Sequence, residues 1–307
     1  MSSNIFISTS STDWNRAANW SLNQVPISNE DVYFSASAVS VDTNLDQHII
    51  EDEYGTALNT INFDTTYSGK IGTNNTINTT VYLKIGSNNF NIGTPALTRG
   101  TGSQRLNIQA YNYGATFNIF STATSAYDTN STPCRIIGSG LNIDASGGIT
   151  GVAIGPGETS SVSNLNMVQG AGNPTVVLGQ GVTLSNANVT AGTVINNSSS
   201  LVADAIISGG GQLTHQGNGG YLVLVINSGS YVAYTGLGTI STLQLTGTLD
   251  LSAGIGAVTI THAYLYSGAK IIDPFGRLTF TNPISLVETK LSNVSLDFGI
   301  NRNIQVS

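Results

Sequence analysis

The sequence predicts an all-β chain, a parallel β-helix (β-solenoid) with rungs of about 20 residues. The first observation is a short phrase that recurs between Leu141 and Gly276: apolar residues at alternate positions, one or two small polar residues, then glycine. It reads Leu141-Asn-Ile-Asp-Ala-Ser-Gly147, Leu165-Asn-Met-Val-Gln-Gly170, Ala187-Asn-Val-Thr-Ala-Gly192, Ala205-Ile-Ile-Ser-Gly209, Val225-Ile-Asn-Ser-Gly229, Leu243-Gln-Leu-Thr-Gly247 and Tyr264-Leu-Tyr-Ser-Gly268. Its glycines lie roughly 17 to 23 residues apart, the period of a strand-and-turn solenoid rather than of a two-helix repeat. The second is that only 9% of the residues are charged, against an ordinary value near 25%. The third is an apolar fraction of 40%, too high for a disordered chain. Alternating strands with glycine turns also suit a β-sandwich or jelly roll, the alternative fold. Sandwich strands have no need to resemble one another, so the recurrence favours the solenoid.

Residues 1–40 are set apart as an N-terminal cap. Trp14 and Trp20, the only tryptophans, stand in Asp13-Trp-Asn-Arg-Ala-Ala-Asn-Trp-Ser21, ahead of Val25-Pro26 and Asp31-Val-Tyr-Phe34. Val32 and Phe34 share one face of a strand, and the indoles supply the apolar area needed to close the first open end of a solenoid. The competing reading makes Trp14 and Trp20 a platform for glycan or partner contact. This W-N-x-A-x-N-W-S, V-P, D-x-x-F opening, about thirty residues long, resembles that of extracellular β-helical proteins of the autotransporter-like type and of related phage particle proteins. The resemblance implies a fold more than an activity.

Residues 41–140 form an irregular β region. Leu58 to Phe63, Val81 to Ile85, Phe90-Asn-Ile92, Leu106-Asn-Ile108 and Phe117-Asn-Ile119 read as short strands between Gly, Asn and Thr turns, either irregular solenoid or a separate sandwich. Residues 141–276 form the regular β-solenoid. In Leu243-Gln-Leu-Thr-Gly-Thr-Leu-Asp-Leu251 four leucines share one face, with Gln244, Thr246, Thr248 and Asp250 on the other. One rung cannot bury its apolar side alone, so the core is made by stacking, at about 4.8 Å per rung. Residues 277–307 read as a closing or assembly segment, with Pro283, which lacks a ladder donor, at an edge or boundary.

The net charge of −7, with ten Lys and Arg scattered singly, gives no basic stripe for nucleic acid or an anionic membrane. One cysteine, Cys134, excludes an intramolecular disulfide framework. The first residues show neither a positive n-region nor a long apolar stretch, so no signal peptide is expected, and no apolar run is long enough for a spanning helix.

A search for chemistry returns isolated groups. Asp144, Asp204, Asp250, Asp273 and Asp297 lie in or beside rungs without the clustering of a glycan hydrolase pair. Glu51-Asp52-Glu53, with Asp42 and Asp46 nearby, lacks a calcium-loop order. His48, His215 and His262 stand far apart, without zinc spacing. Cys134 has no nucleophile motif, though Arg135 beside it is of the kind that lowers a thiol pKa. Gly209-Gly-Gly211 lacks the Lys-Ser/Thr pair of a phosphate loop. No catalytic residue, metal site or cofactor is assigned.

The sequence therefore points to a non-enzymatic structural component of a virus particle: a phage head-decoration, fibre or tail protein, made in the host cytoplasm and released with particles. Its expected partners are itself, as a homo-oligomer with a trimer as the first guess, and capsid or tail proteins. The alternative is a polysaccharide-binding or polysaccharide-cleaving surface protein or a bacterial adhesin, secreted or on a cell surface. In that case Trp14, Trp20 and exposed tyrosines stack on a host surface glycan.

Overall fold

The computed structural model describes residues 3–11, 13–35, 58–64, 67, 70–74, 80–93, 105–120, 134–146, 151–168, 174–287 and 293–298. They form a parallel β-helix. Its long ladders pair parallel strands, whereas a sandwich is built from antiparallel ones. Among the described residues, antiparallel contacts are confined to Thr73–Asn74 against Thr80–Val81 and a single bridge between Phe6 and Trp20. Two compact units are distinguished, Met1–Ser161 with Gly170–Thr175, and Val162–Gln169 with Val176–Ser307.

In the N-terminal unit one sheet takes Ser3–Ile5, Asp31–Phe34, Leu58–Phe63, Ser87–Ile92, Thr116–Ile119 and Leu141–Ser146 in chain order. Three strands of the irregular region, Leu58–Phe63, Ser87–Ile92 and Thr116–Ile119, thus continue one parallel ladder. Along it Asp31 pairs with Thr60, Thr60 with Asn89, Asn89 with Thr116 and Thr116 with Asn142, so successive rungs take 29, 29, 27 and 26 residues. The second sheet takes Lys70–Ile71, Arg105–Ala110, Cys134–Ile137 and Val152–Ile154.

Strand alternation sorts the side chains of this unit. Ile61, Phe90, Phe117 and Ile143 line up inside, where the Phe90 and Phe117 rings stack 4.3 Å apart. Asn62, Asn91, Asn118 and Asp144 line up outside. The amide of Asn118 donates to Oδ1 of Asn91 at 2.9 Å, and that of Asn91 to Oδ1 of Asn62 at 2.8 Å. A polar residue repeated at the rung period can hydrogen-bond its own kind above and below, which favours in-register stacking.

Rungs in the C-terminal unit are shorter. Val202 pairs with Tyr221, Tyr221 with Ile240 and Ile240 with Ile260, in steps of 19, 19 and 20 residues. One sheet holds Val202–Ile207, Tyr221–Ile226, Gly238–Leu245 and Val258–Leu265, and the other holds Thr193–Asn196, Gln212–His215, Tyr231–Tyr234, Thr248–Asp250, Lys270–Ile272 and Ser295–Asp297. Val258–Leu265 is continued by two separate strands, Leu278–Phe280 and Ser285–Leu286. Pro283 lies in the break between them, where no ladder donor is required.

Two kinds of glycine corner recur in this unit. Leaving the first sheet, Gly192, Gly209, Gly229 and Gly268 adopt positive φ (70°, 60°, 78° and 87°), the left-handed turn that L side chains resist. These four close the recurring phrase, whereas Gly247, which closes it on another rung, is not at positive φ. On the return from the second sheet, Gly217, Gly219, Gly236 and Gly238 sit so close to the rung beneath that a Cβ would fall 1.8 to 2.0 Å from a backbone carbonyl oxygen.

A candidate functional site at the glycine corner

The indoles of Trp14 and Trp20 do not form a platform. Both are fully buried, packed edge to face with their centroids 4.7 Å apart and in contact with Phe34. Nε1 of Trp20 donates to the Trp14 carbonyl at 2.8 Å, so this pair fills the core of the first rungs and offers no face to a glycan. Residues 19–21 also hydrogen-bond the outer edge of Ser3–Ile5: Ser21 N donates to Ile5 O and Ile7 N to Asn19 O.

Most of the chemistry-bearing residues remain apart. Glu51-Asp52-Glu53, Asp42, Asp46 and His48 lie outside the described residues. Asp250 accepts from the Tyr231 hydroxyl at 2.6 Å and from Ser252 N at 2.8 Å, a local turn contact. His262 Nδ1 lies 3.3 Å from the Asn282 amide nitrogen on the exposed side of its strand. No group of three His, Cys, Asp or Glu that could hold a metal occurs among the described residues, and no helix there is long and apolar enough to cross a membrane. The proposed influence of Arg135 on Cys134 is reversed. Strand alternation turns Cys134 into the core while Arg135 faces out, and burial pushes the thiol up to about 12.

One constellation is brought together, at the return corner of the C-terminal unit. Asn196, His215 and Tyr234 occupy the same register position on three successive rungs, all turned inward and buried, and Tyr221 reaches them from the opposite sheet. His215 Nε2 lies 3.0 Å from the Leu237 carbonyl, which can only accept, so this nitrogen carries the proton. Nδ1 is then an acceptor for the Tyr221 hydroxyl at 3.2 Å, and that hydroxyl accepts from the Asn196 amide at 3.0 Å. The Tyr234 hydroxyl donates to the same Leu237 carbonyl at 3.1 Å. Ser198, also buried, donates to the Val182 carbonyl and receives Ser200 N. Burial holds His215 below its ordinary pKa, against the opposing pull of the Leu237 and Gly219 carbonyls, and burial raises both tyrosines.

Beside this seam lies Arg277. Nε donates to Gly256 O at 2.7 Å, one terminal nitrogen to Tyr234 O and Leu251 O at 2.6 and 3.0 Å, and the other to Thr235 O and Gly236 O at 3.4 and 2.8 Å. All five guanidinium N–H groups are therefore consumed by carbonyls of the two rungs below. Asp273 is buried in the same turn and receives Arg277 N at 2.7 Å and Leu278 N at 2.8 Å. Gly254 is required here, since a Cβ would meet the guanidinium at 2.1 Å.

Outside this polar seam runs an apolar ridge. Leu237 and Ile255 are the middle residues of Gly236-Leu-Gly238 and Gly254-Ile-Gly256, one rung apart, and Phe275 follows on the next. The Leu237 side chain lies over Gly256, where a Cβ would meet it at 1.8 Å. Ile255 is fully exposed and Phe275 is 73% exposed. Beside them is a cleft of about 370 Å³ lined by Ser252, Ala253, Gly254, Ile255, Phe275 and Arg277.

In the sequence the turn glycines carry the more obvious phrase, and the ridge does not stand out. Two signals were nevertheless present in the chain: the Gly-x-Gly triplets at 217, 236 and 254, and the 19-residue interval from Asn196 to His215, repeated to Tyr234. No protein-family model, curated protein or solved structure gives a significant match to this chain.

Proposed function

We propose that this chain is a non-enzymatic structural component of an extracellular particle, of the phage decoration, fibre or tail kind, and that it works by assembly. The observation that carries the reading is the exposed ridge of Leu237, Ile255 and Phe275, held on a corner whose backbone leaves no room for a Cβ and whose interior is pinned by Arg277. Adjacent large apolar side chains exposed on a stiff support mark a surface meant to be covered. The site's titratable groups are unsuited to turnover. His215 and Tyr221 are buried and engaged with each other, and the Arg277 donors are all occupied. A parallel solenoid with an exterior of Ser, Thr, Asn and Gln supplies the rest, a rigid spacer with little net charge per face.

The glycan reading is weakened by the burial of Trp14 and Trp20, which leaves exposed tyrosines such as Tyr113 as its remaining stacking groups. Gene order tests the two readings against each other. Neighbours encoding capsid and tail proteins are expected, and neighbours encoding polysaccharide-processing enzymes contradict the assembly reading. A glycan array on the purified chain is expected to show no specific binding, and binding lost in Tyr113→Ala would favour the alternative.

A further inference from the structure

We propose that Asn218 is a self-modifying site: the chain deamidates at Asn218-Gly219, and the stacked rungs hold that reaction off until the corner opens. This is the one Asn-Gly pair in the chain. An asparagine followed by glycine carries its own nucleophile, because a following residue without a Cβ leaves its backbone nitrogen unhindered beside the side-chain carbonyl. Gly219 N gives up its proton to solvent base and attacks Cγ of Asn218. The new C–N bond closes a succinimide, and the side-chain nitrogen leaves as ammonia. Water then opens the ring at either carbonyl, giving aspartate or isoaspartate. No enzyme, oxidant or cofactor is required. Asn218 is exposed at the tip of the return corner, so base and water reach it.

The backbone on both sides of Asn218 is clamped. Gly219 N donates to Ser198 O at 3.3 Å, so the attacking nitrogen is turned onto the preceding rung. Gly217 N donates to Asn196 O at 3.1 Å and Gly217 O accepts from Leu237 N at 2.9 Å, tying residue 217 to the rungs before and after it. A Cβ on Gly219 would fall 2.0 Å from Ser200 O, and one on Gly238 would fall 1.9 Å from Gly219 O, so neighbouring rungs touch this peptide from both sides. Arg277 helps to hold the following rung in place, donating to Gly236 O at 2.8 Å. Ring closure requires Gly219 N to swing toward the side chain and give up its hydrogen bond, which the stack permits only through local opening. The two products then differ. Aspartate adds a carboxylate at an exposed tip, whereas isoaspartate routes the main chain through the side chain and adds a methylene where the rungs leave no space. A chain carrying isoaspartate cannot restack this corner, so the modification marks chains that have opened.

Peptide mapping by mass spectrometry tests this on the full chain, incubated in mildly alkaline buffer with and without concentrated urea. In urea Asn218 is expected to be the first asparagine converted, with isoaspartate read by an isoaspartyl methyltransferase. In native buffer its conversion is expected to fall by roughly tenfold or more. Arg277→Lys, which keeps the charge with fewer donors, is expected to raise the native rate and leave the urea rate unchanged. Asn218→Gln, at an exposed position, is expected to melt as the wild type does and to lose the modified peptide. After transfer out of urea, isoaspartate-bearing chains are expected in the fraction that fails to refold. Another asparagine converting first in urea overturns the site, and equal rates with and without urea overturn the clamp. Isoaspartate-bearing chains that refold with the wild-type melting temperature overturn the marking role.

Discussion

At the residue scale, His215 is the group whose charge state the fold controls most directly. Its pKa is lowered by burial, so between the ordinary value near 6.5 and the depressed one the unfolded chain binds a proton that the folded chain does not. Stability is therefore fully present above about pH 6.5 and falls as pH drops through that window. A lower melting temperature at pH 5 than at pH 7.5 is expected, with the difference reduced in His215→Gln. Thermal denaturation at the two pH values measures both. Arg277 gives a second test. Its five donors satisfy carbonyls on two rungs, so Arg277→Ala is expected to cost about 3–5 kcal/mol in urea unfolding, and Arg277→Lys, with three donors, to restore only part of that. Sequence spacing placed His215 without companions because its neighbours are 19 or more residues away along the chain, apart from Tyr221. Applying the rung period to polar residues as well as apolar ones would have joined Asn196, His215 and Tyr234.

Elements differ in how clearly they were written. The recurring phrase identified the first-sheet strands and their turn because both demands act on local residues: alternate apolar positions for the core, and a glycine at positive φ. Rungs of 26 to 29 residues in the N-terminal unit were harder to read, because the residues added between paired strands do not have to repeat. The apolar-Asn-apolar triplets centred on 62, 91 and 118 supply the asparagine ladder outside that sheet, at intervals of 29 and 27 residues that local reading does not join. The two glycine corners make opposite demands, and this can be measured. Gly229→Ala meets only the φ penalty, since nothing lies within 4 Å of its Cβ, and is expected to cost about 1–2 kcal/mol. Gly217→Ala would set a Cβ 1.8 Å from Ser198 O, and a cost of about 3 kcal/mol or more is expected. Comparison of urea midpoints for the two variants separates strain in one rung from a clash between rungs.

For the whole molecule, the composition and period led to the parallel solenoid, and the tryptophans are part of its buried core rather than a surface. Function was less legible, since the proposed assembly surface rests on no motif: its apolar side chains stand at one corner of successive rungs, about 18 to 20 positions apart in the chain. The central proposal is that the protein acts by being built into a particle. Density-gradient sedimentation of the native source's lysate, with quantitative mass spectrometry across the fractions, tests this most directly. Co-sedimentation with particles at a fixed multiple-copy ratio is the expected result, whereas recovery of the chain only at the top of the gradient, free of particles, would contradict the account.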